Sequence, residues 1–380
     1  MPRLSTSHAQ LSRRRSFFTF AAVGLAAASG ACSGGHSTAR VVDTTSSTVS
    51  RSTLAPSSST SSSSTTTTTA PPVRGPVTLA FGGDVHFEGA LRAKLAAGPE
   101  HVLDAIAPTL RAADLAMVNL ETAITERGSA QPKEFTFRAP PSAFQALRAA
   151  GIDVATMANN HGLDFGPVGL ADSLAAIQQT GFPVVGIGAD AAHAYAPYRV
   201  TVHGQRIAIL GATQVIDGAL IPTWTATATH SGVASAKNVD VLVAAVRAAR
   251  LVSDTVVVYL HWGIEGSTCP SSAQRSLAQA LVVAGADVVV GSHAHRLLGA
   301  GRLGPAFVDY GLGNFAFYSR GGSAAQTGVL TVTVTGRKVD GYAWSPAVIS
   351  GGTPVPLTST DATAARNAWT SRRGCTDLTP

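Results

Sequence analysis

The sequence predicts an α/β fold in which two mixed β-sheets face each other with helices on their outer sides. From Val77 onward, short apolar runs alternate with longer helical stretches, which is the pattern of buried strands joined by helices. Two stretches, 198–211 and 327–349, alternate apolar and polar residues and turn in the middle, as β-hairpins do. Hairpins add antiparallel strands to an otherwise parallel arrangement, so we expect mixed sheets.

The individual elements follow from the local pattern. Gly151 and Gly181 are placed to end two of the helices, and His203-Gly204 is the expected turn of the first hairpin. The apolar runs interpreted as strands are 77–83, 115–121, 152–159, 182–188, 254–263, 286–293 and 305–315. The stretches interpreted as helices are 88–97, 101–113, 141–151, 166–181, 239–252 and 272–285.

The first 32 residues have the parts of an export signal. Arginines at 13–15 precede a short apolar segment at 18–30, and small residues precede Cys32. The arginine pattern resembles a twin-arginine signal, and the residues before Cys32 resemble a lipoprotein box, which would place a lipid on Cys32. The alternative is an ordinary cleaved signal with an incidental cysteine, and we favour the lipoprotein. We therefore expect an exported protein at the outer face of the cytoplasmic membrane, or a secreted one.

Residues 33–76 are predicted to form a disordered stalk. Most of them are Ser or Thr, and they offer too little apolar surface to offset the entropy lost on ordering. Such a stalk would hold the folded domain away from a membrane surface. We expect that domain to span 77–350, with 351–380 as a C-terminal tail.

The charge distribution argues against nucleic acid as a partner. The chain has 28 basic and 22 acidic residues, but four of the arginines lie in the first 32 residues, which leaves 24 basic residues in the rest. The remaining sequence has no Lys/Arg run and no aromatic residues interleaved with basic ones.

The chain has three cysteines, Cys32, Cys269 and Cys375. If Cys32 carries a lipid, the other two are free to pair in an oxidising compartment. Two unpaired thiols are the alternative, and the sequence leaves both open.

Five stretches, each at the end of a predicted strand, hold the residues that suggest chemistry. They are 81–89, 117–124, 157–166, 258–266 and 291–299. Five of the 11 histidines of the chain fall in them: His86, His161, His261, His293 and His295. Ligands of α/β proteins bind at strand ends, so this concentration of imidazoles indicates a site.

Each of these candidate site residues also has a simpler, structural interpretation. Asp84 after two glycines is a common turn residue, a lone Glu121 at a strand end is usually solvated, and a buried His261 is usually a hydrogen-bonded core residue. Asn159 and Asn160 suit a turn because asparagine tolerates left-handed backbone.

The stretches taken together favour a metal site. The set Asp84, His86, Glu121, Asn160, His261, His293 and His295 offers oxygen and nitrogen ligands without cysteine, which suits Mn, Zn or Fe. Seven such ligands would serve two divalent ions that share one carboxylate, and His161 would then be free to transfer protons. Because alternate residues of an extended segment share a side, we expect an extended backbone through His293 and His295, with one ligand in each site. Four further polar residues are predicted to contact substrate: Asn119, Asn159, Glu265 and Asn314.

The order of these motifs resembles the CapA/PgsA poly-γ-glutamate capsule-synthesis family, within the calcineurin-like metallophosphoesterase superfamily. The matching segments are NLETAIT, ANNHGLDFG, HWGIEG, GADVVVGSHAH and YGLGNF, and the resemblance runs from about residue 78 to 314. It implies a four-layer α/β/β/α sandwich of the metallophosphoesterase type around a dinuclear metal centre.

The resemblance also implies roles. It makes Asp84, His86 and His295 ligands of one site, and Asn160, His261 and His293 ligands of the other. It makes Glu121 the bridging carboxylate, where the phosphoesterases usually have Asp, and His161 the general acid.

These observations predict a metal-dependent hydrolase-like protein that acts in the synthesis or export of poly-γ-glutamate or a related envelope polymer. Its expected partners are an anionic polymer or phosphoester substrate, a membrane through the lipid, and a membrane polymer-synthetase complex. One alternative is an extracytoplasmic phosphodiesterase or nucleotidase unrelated to capsule. Another is a non-catalytic module that binds polymer or a partner.

Overall fold

A computed structural model describes residues 74–318 and 321–380. The predicted signal peptide, the lipidation residue Cys32 and the predicted stalk up to residue 73 lie outside the described residues. The strands are β1 (Val77–Val85), β2 (Leu115–Leu120), β3 (Ala123–Ile124), β4 (Arg138–Ala139), β5 (Val154–Thr156), β6 (Val184–Val185), β7 (Ile187–Gly188), β8 (Tyr198–Val202), β9 (Gln205–Thr213), β10 (Gly232–Val233), β11 (Thr255–Trp262), β12 (Val288–His293), β13 (Ala300–Leu303), β14 (Ala306–Asp309), β15 (Asn314–Ala316), β16 (Gln326–Thr335), β17 (Lys338–Ser350) and β18 (Thr353–Pro356).

The helices alternate with these strands along much of the chain. They are α1 (Ala90–Ala97), α2 (Ala107–Arg111), α3 (Ser142–Ala149), α4 (Gly166–Thr180), α5 (Ala191–Ala194), α6 (Ile221–Trp224), α7 (Val239–Val252), α8 (Ser272–Ala284) and α9 (Ser359–Ser371). Short 3-10 turns lie at Pro99–His101, Gly218–Leu220, Gly322–Ala324 and Arg372–Cys375. Within the described part of the chain, no helix has both the length and the apolar character that crossing a membrane requires.

Two large mixed sheets organise the domain. The first has eight strands in the order β18-β17-β16-β1-β2-β5-β6, with β15 also paired to β1. The second has six strands in the order β13-β14-β12-β11-β9-β8. In the first sheet β1, β2, β5 and β6 pair in parallel, whereas β1–β16, β16–β17 and β17–β18 are antiparallel. In the second sheet β9, β11, β12 and β14 pair in parallel, and the edge strands β8 and β13 are antiparallel to their neighbours.

Three apolar clusters show how the layers stack. One joins the two sheets, with Phe81 of the first sheet and Tyr259 of the second among its members. A second lies between the first sheet and α1–α4 and includes Phe144, and a third lies between the second sheet and α7–α8 and includes Leu281. The fold is therefore the predicted α/β/β/α sandwich, and the expectation of mixed sheets is confirmed.

Strand β1 contains a bulge at Gly82-Gly83. Phe81 pairs with Met117 and Asp84 with Asn119, so β1 uses one more residue than β2 over this step. The bulge keeps Asp84 on the same inner face as Phe81. A Cβ on Gly83 would lie 1.9 Å from the carbonyl oxygen of Gly313, so this close approach requires glycine.

Three predicted elements are divided in the structure. The stretch predicted as one helix at 101–113 contains only the short α2, and Pro108 is in its first turn. The strand predicted at 182–188 breaks at Gly186, which has a φ of 84°. The strand predicted at 305–315 breaks before Asn314, where Gly313 has a φ of 63°.

The C-terminal segment 351–380 is part of the domain rather than a simple tail. Strand β18 pairs with β17, and α9 places Trp369 in the cluster between the sheets. Cys375 forms a disulfide with Cys269, and the two Cα atoms are 5.7 Å apart. The pairing that the sequence left open is therefore present in the structure, and it closes a long loop, which restricts the unfolded chain.

Candidate metal centre

The candidate site lies where the inner faces of neighbouring strands change from apolar to polar. The last apolar inner-facing residue of each of three strands is followed two positions later by a polar one. These polar residues are Asn119 in β2, His261 in β11 and Ser292 in β12. Since alternate residues share a face, these polar side chains point the same way as the core residues before them. They meet: His261 Nδ1 lies 3.1 Å from Asn119 Nδ2 and 3.3 Å from Ser292 Oγ.

Glu121, directly after β2, is shared by two groups of possible metal ligands. His261 and His293 form one group with it, and Asp84 and His295 form the other. Within each group the ligand atoms all lie within 4.8 Å of one another. Glu121 Oε1 is 3.3 Å from His261 Nε2. The arrangement places one carboxylate between two sets of donors.

Asp84 is held rigidly on the inner face after the bulge. Its Oδ1 accepts a hydrogen bond from Asn119 Nδ2 at 2.8 Å, and its Oδ2 accepts one from the His293 N–H at 3.1 Å. Oδ2 also lies 3.4 Å from His295 Nδ1. The aspartate therefore links both sheets at the site.

His293 and His295 reach the site by a different backbone path from the one expected. His293 has a φ of 100° and His295 a φ of 53°, so the segment is not extended there, and the prediction of extended backbone was wrong. Their rings are nevertheless 6.0 Å apart, and each belongs to a different donor group, as the sequence analysis expected. Positive φ in non-glycine residues is strained and is concentrated at functional sites.

Among the described residues, His86 is the one predicted histidine or carboxylate ligand that lies outside both groups. β1 ends at Val85, and the His86 ring packs 4.0 Å from the ring of Phe317 and 4.8 Å from that of Phe137. Its Nδ1 accepts from the Glu88 N–H at 2.9 Å. Burial lowers the pKa of His86 to about 3, which keeps it neutral. The ring is thus an element of an aromatic wall beside the donors.

The predicted asparagines occupy two kinds of position. Asn160 Oδ1 is 2.7 Å from His261 Nε2, which puts this amide at the donor cluster. Asn159 instead donates from Nδ2 to Asn119 Oδ1 at 2.9 Å, and both are completely buried. Asn119 and Asn159 are therefore linked to the donor cluster through the bond from Asn119 to Asp84, and their contact with a substrate stays a prediction.

The other two residues predicted to bind substrate differ in exposure. Asn314 is buried, and its Oδ1 lies 2.8 Å from His295 Nδ1, so it orients that ring. Glu265 is exposed in the loop after β11. Only Glu265 of the four is open to solvent.

His161, the predicted proton donor, is held by groups that the sequence analysis did not identify. Its Nδ1 lies 2.5 Å from Asp164 Oδ2, so the carboxylate accepts the Nδ1 proton and Nε2 faces Glu121, 3.9 Å away. Lys133 Nζ donates to Asp164 Oδ1 at 2.6 Å and also to the carbonyl oxygen of Asn160. Burial lowers the pKa of His161, and the bond to Asp164 opposes that shift.

Asp164 and Lys133 differ in whether the sequence alone could have indicated them. Asp164 lies three residues after His161 in the same turn, a spacing that could have indicated it. Lys133 lies 28 residues before His161 on a separate loop, and no local pattern points to it.

The electrostatics of the cluster reflect carboxylates and imidazoles buried together. Burial, with the charge of Asp84, raises the pKa of Glu121 well above its usual value, and burial lowers the pKa of His293 well below its own. Burial also acts to lower the pKa of His295, but its hydrogen bond to Asp84 and the charge of Glu121 outweigh it and raise that pKa to about 9.

The donor set fits divalent metal ions on observations internal to the structure. Within residues 74–318 and 321–380, both carboxylate oxygens of Glu121 and Nδ1 of His293 are buried without a hydrogen-bond partner. Such groups are costly to bury unless something compensates them. Carboxylate and imidazole donors without cysteine are typical of Zn, Mn or Fe sites.

The described chain is similar to proteins of capsule synthesis. Residues 78–319 match the family model "Bacterial capsule synthesis protein PGA_cap". The capsule biosynthesis protein CapA of Bacillus anthracis is 32% identical over 228 residues, which cover 58% of this chain and 54% of that protein. The PGA biosynthesis protein CapA of Bacillus subtilis (strain 168) is 29% identical over 231 residues, 58% of this chain and 57% of that protein.

Among solved structures, one described as a novel phosphatase from Mycoplasma pneumoniae superposes with a TM-score of 0.45 at 17% identity, over 73% of this chain and 95% of that chain. The matched segment spans about half the length of the curated relatives. The family match, however, covers most of the domain and includes every predicted metal ligand, so the resemblance seen in the sequence is confirmed. The chain belongs to the bacterial capsule synthesis protein family PGA_cap.

Proposed function

We propose that this protein acts in the synthesis or export of poly-γ-glutamate or a related anionic envelope polymer, as an exported, lipid-anchored protein with a dinuclear hydrolytic site. Family membership and the printed names of the two CapA relatives support the process. The donor cluster supports the reaction class. Each line of support is independent of the other.

The observation that carries the hydrolytic part is Glu121. Its two oxygens are fully buried and have no hydrogen-bond partner among the described residues, and Glu121 is common to both donor groups. Two cations held by this residue would explain an acid in that position, whereas a structural carboxylate would be expected to have hydrogen-bond donors. His295 and Asp84 would complete one site, and His261, His293 and Asn160 the other.

Divalent ions held there would supply Lewis-acid activation of water and of the phosphoester or amide bond to be broken. The chain itself moves the proton. Asp164 accepts a hydrogen bond from His161 Nδ1–H, which fixes the ring so that the unprotonated Nε2 faces the cluster, where it would take a proton from the attacking water and pass it to the leaving group. Lys133 neutralises Asp164 and thereby holds the pair in place. Phe137 stacks 4.1 Å from the His161 ring and limits its rotation.

The experiment is an assay of the purified protein, loaded with Mn, against a phosphodiester and a γ-glutamyl amide chromogenic substrate. We expect turnover of at least one, and a loss of about 10²–10⁴-fold in kcat for His161→Asn with the metal content unchanged. Turnover of the phosphodiester alone would favour the phosphodiesterase alternative. No turnover of either substrate by fully loaded protein would contradict the hydrolytic proposal and favour a polymer-binding module.

The location is tested separately. The arginines at 13–15, the apolar segment 18–30 and Cys32 motivate the proposal of a lipid anchor. Changing Cys32→Ser should move the protein from the membrane fraction to the soluble fraction, while Cys375→Ser should not. Unchanged membrane attachment of the Cys32→Ser protein would remove the anchor from the proposal.

A further inference from the structure

A cavity lies against the C-terminal helix α9, and it shares no residue with the two donor groups. Its volume is about 260 Å³. The indole rings of Trp344 and Trp369 stack 5.3 Å apart with their planes 6° from parallel, and Leu297, Pro346 and Ala365 complete the apolar wall. This surface would accept a flat or aliphatic group.

Three polar atoms of residues that line this cavity are buried and have no hydrogen-bond partner in the part of the chain that the structure describes. They are Thr327 Oγ1, Trp369 Nε1 and Arg372 Nε. Thr327 is 1% exposed and Trp369 4% exposed, so neither side chain reaches bulk water. The indole and guanidinium nitrogens can only donate, and the hydroxyl can also donate. All three are therefore suited to a ligand that offers acceptor oxygens.

The charge at the cavity points to an anion. Arg372 Nη2 donates to Gln326 Oε1 at 2.8 Å, and among the described residues Arg372 forms no ion pair within salt-bridge distance. Burial lowers the pKa of Arg372, as expected for a cation partly withdrawn from water. The other charged side chain on the lining, Asp361, lies on the exposed first turn of α9.

The size restricts the ligand further. Pockets for drug-sized molecules typically have volumes of about 300–1,000 Å³. Because the volume of this cavity lies just below that range, it would accommodate a small compound and not a polymer segment of many residues. We propose that the cavity binds a small monocarboxylic acid with an apolar body, whose carboxylate accepts from Arg372, Trp369 and Thr327 while the body lies against the two tryptophans. Guanidinium and carboxylate are well matched in geometry.

The test is calorimetric titration of the full-length protein, freed of metal so that carboxylates cannot bind at the donor cluster. The probes are octanoate, 3-phenylpropionate and indole-3-acetate, with 3-phenylpropanamide as the uncharged match. We expect at least one acid to bind with a Kd below millimolar, and the amide to bind about tenfold more weakly than 3-phenylpropionate.

Variants locate the site. Arg372→Gln should weaken binding of the acid about tenfold, and Trp369→Phe, which keeps a ring but removes the N–H, several-fold. Ala365→Phe should fill the cavity and abolish binding. Arg366→Gln, an exposed arginine of the same helix that does not line the cavity, is the matched control and should bind as the wild type does.

Thermal unfolding of each variant establishes that it is folded before it is titrated. Failure of all three acids to bind wild-type protein at millimolar concentration would overturn the proposal and leave a water-filled cavity. Wild-type affinity for the acid in both Arg372→Gln and Ala365→Phe would also overturn it. Equal affinity of the wild-type protein for 3-phenylpropionate and 3-phenylpropanamide would overturn it as well.

Discussion

The inner faces of the two sheets contain two regions of opposite chemistry on the same strands. In β11, Val257 and Tyr259 pack in the core between the sheets, and His261, the next inner-facing residue, is a member of the donor cluster. All three are completely buried. Equal burial therefore has opposite energetic meaning: the apolar residues gain free energy on leaving water, whereas the imidazole and its neighbours lose it unless they are compensated.

The difference teaches that stability and ligand binding are separated along the length of each strand. The apolar region should supply the free energy of folding, and the polar end should be nearly neutral or unfavourable without a bound cation. Five substitutions test this separation.

The largest expected effect on stability is that of Phe81→Ala, at the last apolar inner position of β1. Phe81 is 1% exposed, and truncation of a buried phenylalanine costs about 3–5 kcal/mol of the free energy of unfolding. Denaturant titration measures the loss. The folded variant should still bind as much metal per molecule as the wild type does, and a reduced metal count in fully folded protein would break the comparison.

Glu121→Gln should have the reverse profile. It removes the carboxylate common to both donor groups, so elemental analysis should show loss of most bound metal. Because the wild-type Glu121 side chain is buried with no hydrogen-bond partner among the described residues, the metal-free variant should be no less stable than metal-free wild type. Glu126→Gln, an exposed glutamate five residues later, is the matched control. A variant that keeps its metal would show that Glu121 is not a ligand.

His295→Asn and His86→Phe sharpen the boundary of the polar region. His295 is in a donor group and His86 is not, so the first change should lower the metal count by about one ion per molecule and the second should leave it unchanged. Phenylalanine suits the position of His86, whose ring already packs against Phe317 and Phe137. Loss of metal on His86→Phe would restore His86 as a ligand.

The metal count should not change at Asp309, a buried inner-face carboxyl that is outside both donor groups, and its effect on stability should depend on pH. Its Oδ1 accepts from the Gly311 N–H at 2.8 Å, and among the described residues its Oδ2 has no hydrogen-bond partner. Burial raises the pKa of Asp309 to about 8 from its usual 3.8. Between these values the unfolded chain ionises and the folded protein does not, so the group reduces stability progressively as pH rises from about 4 to 8.

Asp309→Asn removes that cost. The Tm of the variant relative to wild type should therefore rise with pH across this window, with little difference below pH 4. Measuring both proteins without metal isolates the effect. A difference in Tm that is independent of pH would mean that Asp309 is ionised in the folded protein.

The sequence predicted the layers because their signals are strong. The helical stretch 239–252 coincides with α7, whose buried residues recur at helical spacing, and β11 begins with a continuous β-branched run. The C-terminal helix α9 was missed because only two of its residues, Ala362 and Trp369, are buried, which leaves no clear periodicity. Tertiary contacts made by so few residues cannot be recognised from the sequence.

The site was predictable to the extent that it depends on strand ends. Parallel strands bring their carboxyl ends to one edge of each sheet, and the sheets face each other, which is why Glu121 and His261 could be assigned to one place from separate motifs. Alternation could not place His86, because β1 ends before it and its ring turns into an aromatic pocket. Alternation also could not anticipate the positive φ angles at His293 and His295, which depend on surrounding contacts.

The stack of Phe137 between two imidazoles has a spectroscopic consequence. Its ring centre lies 4.1 Å from that of His161 and 4.8 Å from that of His86, and the planes are within 27° of parallel in both pairs. Protons held over the face of a benzene ring are shielded by its ring current. The carbon-bound ring protons of these two histidines should therefore resonate upfield of those of the exposed ones among the 11 in the chain. The chemical shifts of the ring protons of His161, the proposed proton donor, can thus be used to follow the protonation of that ring during metal loading or turnover without altering any residue.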